Sequence, residues 1–337
     1  MTADQPAPAA PRLPPAGTER TEAVRALRRD VAENGLTRSH GAWALLRGAA
    51  LVLPYAAACA LALCVGTWWA WAVQIVVSTT VLCTLPALYH EATHRSVSRH
   101  RLLNDAIGTV AAALHFVPFA SWRYFHLTHH AHTGTDGDSE VYGRYWSRWT
   151  LLAFPVTQWA FAFLLWRWTL ASMRGKGPRW ISSARQRTAI RRNTAAVWAL
   201  WAVEAAACAA DPRVLALVVA PSALSLMIAA LTLVPEHFPA YRIGPGDADQ
   251  LDRTNSFASN PLLRLLLWNS NFHAAHHFAP KVPAHHLRRL DDLISTVQEP
   301  AWRWPGYYRW YRDRLGGLSW TPVDLSAGHT AESFEER

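Results

Sequence analysis

The 337-residue chain is short of charge, of lysine and of cysteine in any reactive pattern. Charged residues make up 17% of it, against roughly 25% in a soluble globular chain. A wholly soluble domain of this length is therefore disfavoured. Lys176 and Lys281 are the only lysines, so 33 basic residues less two leaves 31 arginines. With the abundant alanine, this composition points to a GC-rich genome. The four cysteines, Cys59, Cys64, Cys83 and Cys208, all sit in apolar stretches, and none forms a CxxC pair. That excludes a disulfide scaffold and a cysteine-ligated iron–sulfur cluster within the chain. Acidic residues number 24, which leaves a net charge of +9. Such an excess suits nucleic acid or an anionic membrane surface. No charged segment followed by an apolar run opens the chain, so no secretory signal is expected. There is no internal repeat.

What is present decides for the membrane. Apolar runs cover residues 43–64, 68–90, 194–210 and 214–236, three of them close to the 20 residues that cross a bilayer. Eighteen tryptophans, with Trp68, Trp69 and Trp71 beside the break at Gly66, suit membrane–water interfaces. A fifth run, 151–172, is interrupted by Pro155 and Arg167 and flanked by basic segments, so it is expected to be re-entrant or to lie in the interface. The prediction is an all-α integral membrane fold, with four spans in two hairpins and a cytosolic helical cap. The connections at 65–67 and 211–213 carry one basic residue, Arg213. The positive-inside rule then puts the other side, with both termini, in the cytoplasm of a bacterial cell. Residues 1–22, with five prolines in the first fifteen positions, read as a disordered tail. Residues 23–322 form the membrane domain, 298–322 being an aromatic and arginine-rich cap, and 323–337 a flexible tail.

Three histidine clusters organise the chain: His90-Glu91-Ala92-Thr93-His94, His126-Leu127-Thr128-His129-His130 and His273-Ala274-Ala275-His276-His277. On a helix, residues i, i+3 and i+4 share a face. Each cluster can thus aim two or three imidazoles at one point, and eight imidazoles suggest more than one metal ion. The first cluster is also literally HExxH, the zinc-protease signature. A catalytic zinc needs only three protein ligands, however, and two further clusters would be superfluous. A zinc-binding transporter is the other alternative, but the clusters stand at helix exits and not along the spans.

The clusters resemble the three histidine boxes of the membrane-bound fatty acid desaturase and hydroxylase superfamily, HxxxH, HxxHH and HxxHH. The resemblance extends through Trp122-Arg123-Tyr124-Phe125-His126 to Thr133-Gly134, and through His276-His277-Phe278-Ala279-Pro280-Lys281-Val282-Pro283. It covers about residues 45–295. It implies a non-haem di-iron centre, with O2 as co-substrate, that attacks an unactivated C–H bond of a lipid chain. Desaturation of a fatty acyl chain is the favoured reaction. Lipid hydroxylation or carotenoid ketolation is the alternative. Imidazole suits iron; soluble di-iron bundles use paired ExxH motifs with further glutamates instead, whereas the boxes hold a single ExxH spacing, Glu91 to His94.

The resemblance implies metal ligands at His90, His94, His126, His129, His130, His273, His276 and His277. It adds His237, in Pro235-Glu236-His237-Phe238, as a ninth. Some desaturases place a water-linked asparagine four residues before that histidine; here the residue is Leu233. Glu91, Asp136 and Asp138 are candidates to orient ligand imidazoles. His132 reads as lying beside the site or on the surface, and His285 and His286 as the exposed start of a helix. His40, His100, His115 and His329 carry no signal. Glu204 is a carboxylate inside an apolar run without an assigned role. The chain shows no cytochrome b5-like HPGG segment. The expected partners are therefore a lipid or acyl substrate and an external electron donor, ferredoxin or cytochrome b5-like, with its reductase. Nucleic acid is not expected.

Overall fold

The computed structural model describes residues 18–39, 41–135, 137–140, 145–237, 251, 254–297 and 303–324. Helices dominate. In chain order they are α1 (Thr18–Glu33), α2 (Gly41–Val65), α3 (Trp68–Leu82), α4 (Leu85–His94), α5 (Arg101–Leu114), α6 (Phe119–His132), α7 (Arg148–Met173), α8 (Ala184–Ala210), α9 (Ala220–His237), α10 (Pro261–Leu266), α11 (His273–Phe278), α12 (Leu287–Val297) and α13 (Tyr307–Gly317). Strand pairing among the described residues is limited to two two-residue ladders: Tyr145–Trp146 with Val323–Asp324, and Ser256–Phe257 with Arg303–Trp304.

Local chemistry sets several boundaries. Gly66, at φ 70°, takes the left-handed turn between α2 and α3, a conformation without penalty for glycine. Ser147 and Ser183 open α7 and α8 with reciprocal capping boxes, which satisfy two orphan backbone donors each. α1 begins at Thr18, inside the stretch expected to be a tail. It docks through Leu27 and Val31, with Leu36 in the turn beyond it, onto Phe278, Leu287 and Leu290 of the region around the third cluster.

Among the described residues, four helical segments are long and apolar enough to cross a membrane: Gly41–Val65, Trp68–His94, Arg148–Met173 and Leu215–His237. Four is the number expected, but the membership differs. The segment expected to lie in the interface, within α7, meets the test, whereas α8 is not among the four. The reason is compositional. Arg185, Arg187, Arg191 and Arg192 fill the first turns of α8, and Glu204 interrupts what remains. α5 and α6 form a pair bent by 102°.

Burial is inverted relative to a water-soluble protein. Leu45, Leu46 and Leu53 are 67–77% exposed, while Gln74, Ser78, Ser222 and Ser225 are fully buried. Apolar surface outward and polar side chains paired inward suit a lipid surround. His115, silent in the sequence, is among the buried polar groups, its Nε2 2.8 Å from Ser225 Oγ. Arg47, which reads as an interruption of the first run, is buried; its Nε donates to the Leu265 carbonyl at 3.1 Å and its Nη2 to that of Arg264. α2 thereby holds α10, just ahead of the third cluster. Trp310 of α13 is fully buried among Trp146, Leu151, Val234 and Phe257.

Candidate metal centre

Four helix termini converge on one point. α4 ends in His90 and His94, α6 carries His126, His129 and His130 in its last two turns, α9 ends in His237, and α11 presents His273, His276 and His277. The structure brings all nine histidines singled out from the sequence together. Ligand-capable atoms of His90, His94, His126, His130 and His276 lie within 4.8 Å of one another, and those of His129, His237 and His277 form a second such group. His273 joins the second through a 2.7 Å Nε2···Nε2 approach to His237.

These separations fit metal ions. Two nitrogens each about 2.1 Å from one ion and about 90° apart lie about 3.0 Å from each other. The Nε2 pairs His94–His126, His126–His130 and His130–His276 are 3.1, 2.9 and 3.0 Å apart. Hydrogen bonding alone does not account for the cluster, since a neutral imidazole offers one donor. His90 Nε2 is buried with no hydrogen-bond partner, which is costly unless a ligand completes it. Burial, followed by neighbouring imidazoles, lowers the pKa of His126, His130, His273, His276 and His277 well below the usual value. The rings are thus neutral, the state a metal requires. His129 differs: burial lowers its pKa, but the Glu140 and Asp138 carboxylates outweigh that and raise it.

Carboxylates surround the rings. Asp138 Oδ1 is 2.8 Å from His129 Nδ1, and its Oδ2 accepts from the Gly134 amide at 2.8 Å. Asp138, a candidate to orient a ligand imidazole, thus pairs with a ring of the second cluster. Glu91 acts otherwise. Its Oε2 accepts from Ser96 Oγ at 2.8 Å and from the Ala284 amide at 2.9 Å, so it ties the first cluster's helix to the chain beyond the third. His132 is exposed. Asp136, His40 and His329 lie outside the described residues. His285 and His286 are half-buried and not exposed, with the His285 ring 5.0 Å from that of Trp43. Glu204 is half-buried on α8, and no role attaches to it.

Three residues escaped the sequence reading. Glu236 Oε2 is 3.4 Å from His273 Nδ1, and its Oε1 accepts from the Tyr307 hydroxyl at 2.7 Å. Glu140 Oε2 is 3.6 Å from His129 Nε2. Glu236 had a local signal, as a carboxylate beside a candidate ligand at the end of an apolar run. Tyr307, 71 positions further on, had none.

A cavity of about 110 Å³ opens from the cluster into the bundle. His90, His126, His237 and His273 stand at one end of it, and Cys83, Val117, Ala162 and Leu226 line its apolar depth. Leu233 lines it as well.

This architecture, with histidines at helix ends above an apolar cavity, coincides with a family match. The profile of the fatty acid desaturase family covers residues 66–311, and the chain belongs to that family, a family of oxidoreductases. Among similar curated proteins are the Delta(12) fatty acid desaturase FAD2 of Calendula officinalis, 37% identical over 73 residues (22% of this chain, 19% of the relative). The omega-6 fatty acid desaturase, endoplasmic reticulum isozyme 2, of Glycine max is 36% identical over 72 residues (21% and 18%). The oleoyl-12-hydroxylase FAH12 of Ricinus communis is 32% identical over 73 residues (22% and 19%). The matches thus span about a fifth of these relatives' length.

Proposed function

We propose that the protein is a membrane di-iron oxidoreductase that uses O2 to introduce a double bond into a fatty acyl chain. The observation that carries this reading is the convergence of nine imidazoles, four of which (His90, His126, His237 and His273) line a largely apolar cavity. His90, His94, His126, His130 and His276 would hold one iron, and His129, His237, His273 and His277 the other. Bound iron would supply the activation of O2. The chain's own residues do the rest. Asp138 and Glu236 hold the His129 and His273 rings by their Nδ1 atoms, and the cavity walls exclude water and fix the acyl chain beneath the metals. Hydroxylation of the chain is the second reading, supported by the likeness to the Ricinus hydroxylase.

The topology is compatible with a one-sided site. α7 starts against Val234, three residues before His237. It ends with the Met173 carbonyl accepting from Arg191, near the start of α8. α8 then leads to the turn at 211–213, and α9 returns from it to His237. On this reading α7 and α8 together make one net crossing and α9 the return, which keeps the second and third clusters on one face. Arginine distribution argues that this face, with the 23–322 domain's cap and both termini, is cytoplasmic in a bacterial membrane. Electrons would come from an external donor, ferredoxin or cytochrome b5-like, steered to the basic face by charge.

Purified in detergent, the protein is expected to contain iron, about two ions per chain, as two groups of imidazoles require. Zinc in place of iron, at one ion per chain, would contradict the reading.

A further inference from the structure

Resting on the two-metal reading, we propose that Glu140 is a metal ligand, giving the ion held by His129, His237 and His277 a carboxylate oxygen. The side of the ring on which each carboxylate stands carries the argument. Asp138 and Glu236 approach Nδ1 of His129 and His273 respectively, behind the ring, where a carboxylate orients a ligand. Glu140 approaches Nε2 of His129 instead, at 3.6 Å. With Nδ1 taken by Asp138 at 2.8 Å, Nε2 is the nitrogen left for the metal, and it is buried without a hydrogen-bond partner.

The spacing fits two ligands of one ion. A nitrogen and an oxygen each about 2.1 Å from a metal, at about 110–120°, stand about 3.4–3.6 Å apart. A direct charge-assisted hydrogen bond would instead bring the pair to about 2.7–2.9 Å. One anchor positions both partners: Asp138 Oδ1 meets His129 Nδ1 and accepts from the Glu140 amide at 2.9 Å. Glu140 also lines the cavity beside His237 and His273. On α9, the cavity position four residues before His237 is Leu233, which brings no oxygen.

The two ions are then inequivalent. One sits among five imidazoles, and the other among imidazoles plus one anionic oxygen facing the cavity. The carboxylate cancels one unit of the second ion's charge next to the substrate.

The test uses the full chain, purified in detergent from cells grown on 57Fe, with elemental analysis and Mössbauer spectra of wild type, Glu140→Ala, Glu140→Gln and Asp138→Asn. Wild type is expected to show two iron environments of equal area. Glu140→Ala should lose or shift one of them, with iron falling from about two toward one per chain, a loss of at least tenfold in affinity at that site. The unchanged second environment certifies the fold. Glu140→Gln, which keeps a neutral oxygen, should keep more iron than Glu140→Ala but shift the same environment. Asp138→Asn should lower iron content while leaving the shape of the remaining spectrum. Two unaltered environments at full occupancy in Glu140→Ala would overturn the ligand role and leave the two-metal reading standing. A wild type without iron would overturn both, and the wild-type sample alone reports it.

Discussion

At the scale of single residues, the site is an exercise in keeping imidazoles neutral. Burial and mutual repulsion lower the pKa of His126, His130, His273, His276 and His277. In the unfolded chain these rings return to about 6.5. Below that pH the unfolded state binds more protons than the folded one, so stability falls as pH falls. His129, whose pKa is raised, contributes in the opposite sense and is outnumbered. Metal-free protein should therefore have a lower urea midpoint at pH 5.5 than at pH 7.5; an equal or higher midpoint would show the rings to be protonated in the fold. The histidines themselves were legible in the sequence because their spacing is a local property of a helix. Asp138 was legible for a similar reason, being close to the second cluster in the chain. Glu140 and Tyr307 were not. Nothing in a sequence tells whether a carboxylate stands before or behind a ring, and Tyr307 reaches Glu236 only through the packing of α13 on the end of α9.

At the scale of elements, the close crossing of α5 and α6 depends on Gly108. A Cβ there would lie 2.0 Å from Phe119 Cζ, and Phe119, 1% exposed, has no room to move. Gly108→Ala is expected to cost about 1–3 kcal/mol by overpacking, read as a lower thermal midpoint in detergent; an unchanged midpoint would mean the two helices separate freely. The existence and approximate extent of the helices were legible from hydropathy. Which of them pass as spans was only partly so. Pro155 and Arg167 make 151–172 look weak, yet α7 carries on through both, with Trp149, Val156 and Phe163 exposed along it. α8 falls outside the four because its apolar part, 194–210, is short and interrupted by Glu204. The docking of α1 was also hidden, because a charged helix reveals its apolar stripe only when a partner surface is known.

At the scale of the molecule, helix ends meet at one level and an apolar cavity descends from that level. The depth of the cavity belongs to Ala162 and Leu226, on neighbouring helices α7 and α9. A bulkier side chain there should limit how much acyl chain fits below the metals. Ala162→Phe is expected to shift products toward shorter chains while iron content stays at the wild-type value; an unaltered chain-length profile would place the substrate elsewhere. The overall class of the molecule was legible because metal chemistry and lipid burial each leave a pattern in composition and spacing. The cavity was not, since it is made of ordinary apolar residues from helices far apart in sequence.

The most direct measurement is mass analysis of the lipids of a host expressing the wild-type chain, beside a host expressing His129→Ala. The account predicts acyl chains lighter by two hydrogens in the first and unchanged chains in the second. Gain of one oxygen in the first would transfer the reading to hydroxylation. Identical lipids in both hosts, with iron bound to the wild-type protein and a competent electron donor present, would contradict the account.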